Sequence, residues 1–385
     1  MRNLVAACLL TGTLGSIHAF SVFIAPLEAT LGVSRAPVSL IYSLALVCLT
    51  LAMLLGHRLY HRFAPSMLAA GAAGAAALGL AVAGLGHTLP AFYLGYSLLF
   101  GAANGLGYGF ALTLASRTAH RGVAMGAVTG SYALGASGFA KIFALLVAWG
   151  GVTAALSVLA AVLVFVAVAA VPLLAGSTLS DEVVSREAAA VEGQFGRLVV
   201  WMWLGYGLGV AAGLMAIGHA AGIVAASGGL MGDAVTGAML IGLGNAAGGF
   251  ASGWLADRWP VRLQLVGLPL LSAAALFALV QWSAAPLAIA ALTVIGFAYG
   301  ALIVAYPVAV AARFEPARFA KVYGRIFTAW GAAGLAAPWI AGVLYDASGA
   351  YAMALMLAGG AALLSALNGA LTPHRAAEAA LSSKV

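Results

Sequence analysis

FGAANGLGYGFALTLASRTAHRGVAMGAVTGSYALGASGFAKI, residues 100–142, decides how the rest of the chain is read. Its pattern is that of two apolar helices joined by a short basic turn, yet Asn104, Tyr108, Tyr132 and Lys141 stand where hydrocarbon is expected. The stretch also occurs twice. Shifted by 196, Ala115, Arg117, Ala124, Ala133, Gly135, Ala136 and Gly138 meet Ala311, Arg313, Ala320, Ala329, Gly331, Ala332 and Gly334. At the same offset Leu59 and Arg62 meet Leu255 and Arg258, and Phe63 faces Trp259. One offset shared by distant segments means two copies of one unit.

Composition agrees with a chain built for lipid. Hydrophobic residues make up 64% of it and charged residues 7%, a balance that no water-soluble domain of 385 residues keeps in solution. Apolar runs of about 20 residues suit helices crossing a hydrocarbon core about 30 Å thick. Strand-type alternation is missing, so a barrel is not expected. The formal charge of +7 does not point to a nucleic-acid partner, because the basic residues collect in alternate loops. Arg58, Arg62, Arg117, Arg121, Arg186, Arg197, Arg258, Arg262, Arg313, Arg318, Lys321, Arg375 and Lys384 share one side, against Arg35 alone on the other. By the positive-inside rule both termini lie in the cytoplasm. Cys8 and Cys48 fall inside apolar helices and imply no disulfide framework. With no small-residue cleavage site visible, the first span is expected to serve as its own insertion signal.

The expected fold is all-α, with twelve transmembrane helices in two six-helix repeats. The spans are 4–25, 37–57, 66–86, 89–115, 122–147 and 151–175, then 198–219, 234–256, 263–283, 286–312, 319–345 and 349–371. They give an N-terminal half at 1–175, a cytoplasmic linker at 176–197, a C-terminal half at 198–371 and a cytoplasmic tail at 372–385. Many glycines fall at helix-contact spacing, among them Gly126 and Gly130 with Ser137, and Gly248 and Gly249 with Asn245 and Ser252. GLGNAAG at 242–248 lies inside a span, so it is no nucleotide loop. G-x-S-x-G, H-E-x-x-H and P-loop signatures are missing, which argues against an enzyme. Nothing in the pattern calls for a cofactor or a metal.

Polar side chains inside a bilayer need a partner or a wet cavity. His18 stands mid-helix in the first span, either as a proton carrier or as a neutral ring bonded to a neighbouring helix. Asn104 and Tyr108 share a helix face, as do Tyr299 and Tyr306, and are read as lining a cavity. Lys141 is a lysine well inside a span. It is either the counter-charge for an anionic substrate or a side chain snorkelling to the outer interface. Tyr132 and Lys141, nine residues apart, point about 180° from one another on one helix. Arg325 is read as part of an inner gate.

Twelve spans in two parallel repeats around a long central loop resemble the major facilitator superfamily. GWLADR, Gly253–Arg258, is similar to its G-x-x-x-D-R loop signature, which assigns Asp257 and Arg258 to gating. The first half carries His57 and His61 at the glycine and aspartate positions. Residues 20–34, 121–138, 305–324 and 342–351 resemble the oxalate:formate antiporter and monocarboxylate transporter branch. That branch moves small carboxylates past enclosing aromatic residues. By position, Tyr108, Tyr132, His18 and Tyr299 take aromatic positions of the branch. The basic residue usual on its eighth helix is replaced by Gly248 and Gly249 near Asn245, and its eleventh-helix lysine position falls on Trp330.

The expectation is a secondary transporter of a small monocarboxylate, such as lactate or pyruvate, moving with a proton by alternating access in the cytoplasmic membrane. Substrate-binding residues are Tyr108, Tyr132, Lys141, Asn245, Tyr299 and His18, with His18 and Lys141 coupling to protons. The partners are a small organic anion, a proton and membrane lipid, and the protein is expected to be a monomer. The alternative is a proton-coupled exporter of a lipophilic or cationic compound. A sensor that keeps the transporter fold predicts binding without accumulation.

Overall fold

The computed structural model describes residues 2–33, 35–60, 62–177, 192–281 and 284–372. Most of the expected linker, at 178–191, and nearly all of the tail, at 373–385, lie outside the described residues, as do His61, Arg186, Arg375 and Lys384.

The regular structure among the described residues is helical. Its first element is α1 (Arg2–Leu14), continued by a 3₁₀ segment, Gly15–Phe23, and by α2 (Ile24–Leu31). Then come α3 (Arg35–Tyr60), α4 (Pro65–Gly86), the short α5 (Leu89–Phe92), a π segment at Tyr93–Phe100 and α6 (Gly101–Ser116). Helix α7 runs Arg121–Leu173 and is followed by α8 (Glu192–Gly218), α9 (Ala220–Ala226), α10 (Met231–Ala256) and α11 (Val261–Gln281). The last three are α12 (Ala285–Arg313), α13 (Pro316–Ser348) and α14 (Ala352–Leu371).

Ten helices among the described residues are long and apolar enough to cross a membrane. One of them, α7, is two spans in series, because Gly150 and Gly151 leave helical geometry, Gly151 with φ 71°. A side chain is strained at that positive φ, which glycine adopts freely. Helix α10, at 26 residues, is also of spanning length, so the expected spans each find a helix. Proline in the first turn starts α4, α5, α12 and α13, where its missing N–H costs nothing. Large apolar side chains such as Leu78, Phe165, Val168 and Leu335 stand exposed along the helices, the surface that lipid covers in a spanning protein.

The described residues form two compact units, one within Met1–Thr118 and Ser131–Glu182, the other within Ala119–Gly130 and Val183–Val385. The first turns of α7 thus cluster with the second unit.

The repeat read from sequence reappears as packing. In the first unit α3 lies along α6 so closely that a Cβ on Gly101 would sit 2.6 Å from the Ala45 carbonyl oxygen, and one on Gly105 would collide with the Leu49 carbonyl. In the second, α10 lies along α12 the same way. A Cβ on Gly296 would sit 2.6 Å from the Ile241 oxygen, and one on Gly300 would collide with the Asn245 carbonyl. Ala45 and Leu49 correspond to Ile241 and Asn245 at the offset of 196, and the glycines follow one residue out of step. Contact between helix backbones replaces contact between side chains at both crossings.

Candidate functional site

In the first unit, four segments bring polar groups to one place. The 3₁₀ segment carries His18, α3 carries Tyr42, α6 carries Asn104 and Tyr108, and α7 carries Tyr132. Gly15 makes the approach possible, since any Cβ there would collide with the Tyr132 carbonyl. The Asn104 amide donates from Nδ2 to the Leu14 carbonyl oxygen at 2.6 Å, and its Oδ1 accepts from the Tyr132 hydroxyl at 2.9 Å. Asn104 is fully buried. The sequence reading put it among cavity-lining groups; the structure uses it instead as a bracket that fixes Tyr132 against α1. Both its polar atoms are engaged, as burial demands.

Tyr132 holds the other rings. The Tyr108 ring lies 4.8 Å from it and the His18 ring 5.4 Å, edge-on at 76°. His18 Nδ1 lies 2.6 Å from the Tyr42 hydroxyl, and Phe20 stacks on the Tyr42 ring at 5.8 Å. Tyr108 is buried, while His18, Tyr42 and Tyr132 are half-buried. The cluster therefore brings an imidazole and phenols together beside the Asn104 amide. Tyr42 escaped the sequence reading because, five residues into its span, it resembles an interfacial anchor. The criterion that singled out Tyr108, a hydroxyl inside an apolar run, applies to it equally.

Lys141 is not brought to this cluster. It is exposed on α7, on a face with Leu134, Ser137 and Leu145, while Tyr132 turns toward α1 and α6. The separation of about 180° expected from nine residues is what the helix shows.

The second unit places Tyr299 on α12 and Trp330 on α13 in contact, the indole Nε1 donating to the Tyr299 hydroxyl at 2.8 Å. Phe327 stacks on Trp330 at 5.1 Å, and Tyr206 packs against Tyr306 at 4.6 Å. Tyr299 is 6% exposed and Trp330 likewise. Asn245, half-buried on α10, lies against Gly300, the neighbour of Tyr299. This region is aromatic where its counterpart is polar. The sequence reading noted Trp330 only as a replaced lysine and missed it as the partner of Tyr299.

Of the residues assigned to gating, Asp257 has a definite role. Its two carboxylate oxygens accept from the Gly122 and Val123 backbone N–H groups, each at 2.8 Å. A carboxylate thereby caps the first turn of α7, where unpaired N–H groups and the helix dipole favour negative charge. Arg258 does not pair with Asp257 in this arrangement. It lies over the Trp254 ring at 4.0 Å and donates to the Trp254 carbonyl at 3.0 Å. Arg325 is exposed on α13.

Known proteins share this architecture. A family model described as Major Facilitator Superfamily matches residues 202–384. The fucose transporter FucP in the outward conformation is similar with a TM-score of 0.75 at 13% identity, covering 96% of this chain and 98% of that one. The proton:xylose symporter XylE, bound to 6-bromo-6-deoxy-D-glucose, has a TM-score of 0.74 at 15% identity, covering 97% and 95%. The human organic anion transporter MFSD10 has a TM-score of 0.70 at 16% identity, covering 96% and 99%. No curated protein matches the chain. The fold is the major facilitator fold, and the chain is a multi-pass membrane protein. The matched family and these three neighbours are transporters, not enzymes.

Proposed function

We propose that the protein is a secondary transporter that moves a small monocarboxylate together with a proton across the cytoplasmic membrane, both termini on the cytoplasmic side, by alternating access. The observation that carries this reading is the imidazole of His18, 2.6 Å from the Tyr42 hydroxyl and packed edge-on against the Tyr132 ring, on which Tyr108 packs in turn. A histidine neutral in the empty carrier and protonated beside a bound carboxylate keeps both states free of net charge. Reorientation then carries no bare charge through a low dielectric. Lys141 would instead leave the empty carrier charged, so His18 is assigned the counter-charge. Tyr108 and Tyr132 enclose the ligand in the first unit, and Asn245 and Tyr299 are the second unit's substrate residues. Asp257, Arg258 and Arg325 are assigned to gating.

The supporting experiment is uptake of radiolabelled L-lactate, pyruvate and acetate into proteoliposomes, with and without an inward proton gradient. Gradient-driven accumulation of one acid, lost in His18→Gln, is the expected result. Accumulation that survives His18→Gln moves the counter-charge to another residue. A second reading, export of a lipophilic cation, is favoured by the aromatic contacts of Tyr299, Phe327 and Trp330. It predicts expulsion of such a cation and no accumulation of any acid.

A further inference from the structure

Helices α1 and α7 of the first unit leave an open cleft of about 620 Å³ between them. Its rims are Val5 and Leu9 of α1 and Leu134 of α7, each nearly half exposed. Its floor is where the two backbones meet, so close that a Cβ on Gly135 would collide with the Gly12 carbonyl. The polar side chains in the cleft are Cys8 and Ser131, which hydrogen-bond to one another. With that pair satisfied, the cleft suits hydrocarbon rather than water.

The same face of α7 carries a charge. Lys141 follows Leu134 by seven residues, so it stands about two turns farther along the helix and within about 20° of the same direction. It is exposed, and so are Leu145 and Trp149 beyond it. Gly135 is midway in sequence between Arg121 and Trp149, which puts Lys141 about 9 Å from the middle of the span. The hydrocarbon edge lies about 15 Å from the middle. The lysine stem covers most of the difference and brings the ammonium to the level of the lipid phosphates.

We propose that the α1/α7 cleft and Lys141 form one binding site for an anionic phospholipid, with its phosphate on the Lys141 ammonium and one acyl chain running past Leu134 into the cleft. The lipid belongs to the leaflet on the Gly150 side, the outer one in the orientation proposed above. The two parts of the site match in length. The chains of one leaflet fill about half of the core, about 15 Å, and the path along α7 from the level of Leu145 to Gly135 is also about 15 Å. They match in chemistry as well. A phosphate supplies the counter-charge that the apolar stripe around Lys141 lacks, and the chain end fills a groove that is open at its rims. A headgroup with its own ammonium, as in phosphatidylcholine, offsets that attraction. The site uses neither His18 nor Tyr132 and is independent of the solute carried.

The test uses the full-length protein in phosphatidylcholine nanodiscs doped with phosphatidylglycerol or phosphatidylcholine bearing a photoactivatable diazirine at the end of one acyl chain. Cross-linked peptides are located by mass spectrometry. Wild type is expected to take label at residues 5–12 and 131–135, about fivefold more from phosphatidylglycerol than from phosphatidylcholine, the worth of one lysine near an anionic lipid surface. In Lys141→Ala the two lipids should label equally, and Lys141→Arg should keep the preference. A Cβ on Gly12 meets the Ser131 carbonyl oxygen at 3.6 Å, an ordinary contact, so Gly12→Leu is accommodated at the floor of the cleft and fills it. That variant should cut labelling in the cleft by both lipids while leaving Lys141 in place. Equal labelling by the two lipids in wild type, a preference that survives Lys141→Ala, or cleft labelling that Gly12→Leu leaves unchanged overturns the proposal. If Gly12→Leu does not fold, the two Lys141 variants, which alter an exposed side chain, still decide it.

Discussion

The two units use one helix crossing to opposite ends. Around the α3/α6 crossing the first unit builds a bonded polar cluster: Asn104 grips Leu14 and Tyr132, and His18 meets Tyr42. Around α10/α12 the second unit builds an aromatic one, in which Tyr299 accepts from Trp330 and Phe327 stacks beside it. The position of Tyr132 in the first unit corresponds to Thr328 in the second, where the hydroxyl accepts from the Trp203 indole at 2.9 Å. Duplication has preserved the backbone contact and released the side chains around it. The glycine crossings are therefore the shared scaffold, and the groups beside them are where the halves divide their labour.

The most severe way to break this comparison is at the scaffold. Gly105→Val and Gly300→Val each drive a side chain into a backbone carbonyl that cannot retreat without moving a helix. Overpacking of this kind is expected to cost about 3 kcal/mol or more in both units. Recovered monodisperse protein, measured by fluorescence size exclusion, should collapse for both variants. A fold that tolerates one and not the other would show that the two crossings are not equivalent.

Next in size is the polar bracket. Asn104→Leu keeps the branched shape but removes the hydrogen bonds to the Leu14 carbonyl and from the Tyr132 hydroxyl, at an expected cost of about 2 kcal/mol. The thermal midpoint in detergent should fall, and transport should fall with it because Tyr132 loses its anchor. The second unit offers the milder counterpart. Trp330→Phe keeps a ring against Phe327 but removes the indole donor to Tyr299, at about 1 kcal/mol. A larger loss of stability from Trp330→Phe than from Asn104→Leu would reverse the assignment of the bonded site to the first unit.

Much of this was readable before any coordinate. Apolar runs and the offset of 196 fix the spans, because lipid imposes helix length and duplication imposes order. Asn104, Tyr108, Tyr132 and His18 stood out as polar groups in hydrocarbon, and the structure gathers all four. The pairings did not stand out, since they join helices far apart in the chain: Tyr42 to His18, Trp330 to Tyr299, and Asp257 to the start of α7. Helical phase tells which residues share a face but not which neighbour that face meets. For the same reason Asn104 looked like a ligand-facing amide until its partners on α1 and α7 were visible.

The smallest expected effect sharpens the comparison most, because Lys141 is a charge within a span that the first unit's cluster leaves out. It stands exposed among Leu134, Ser137 and Leu145, about two and a half turns along α7 from Tyr132 and about 180° around the helix from it. An exposed surface substitution away from packed groups changes stability by about 0.5 kcal/mol or less, so Lys141→Ala should melt as wild type does. On the proposed reading, in which His18 and not Lys141 meets the ligand, gradient-driven uptake should stay within about twofold. Measured beside His18→Gln in the same vesicles, the pair of variants separates the two candidate cations. If Lys141→Ala abolishes accumulation at unchanged stability while His18→Gln does not, the anion is held by the exposed face of α7, and the bonded cluster is structural.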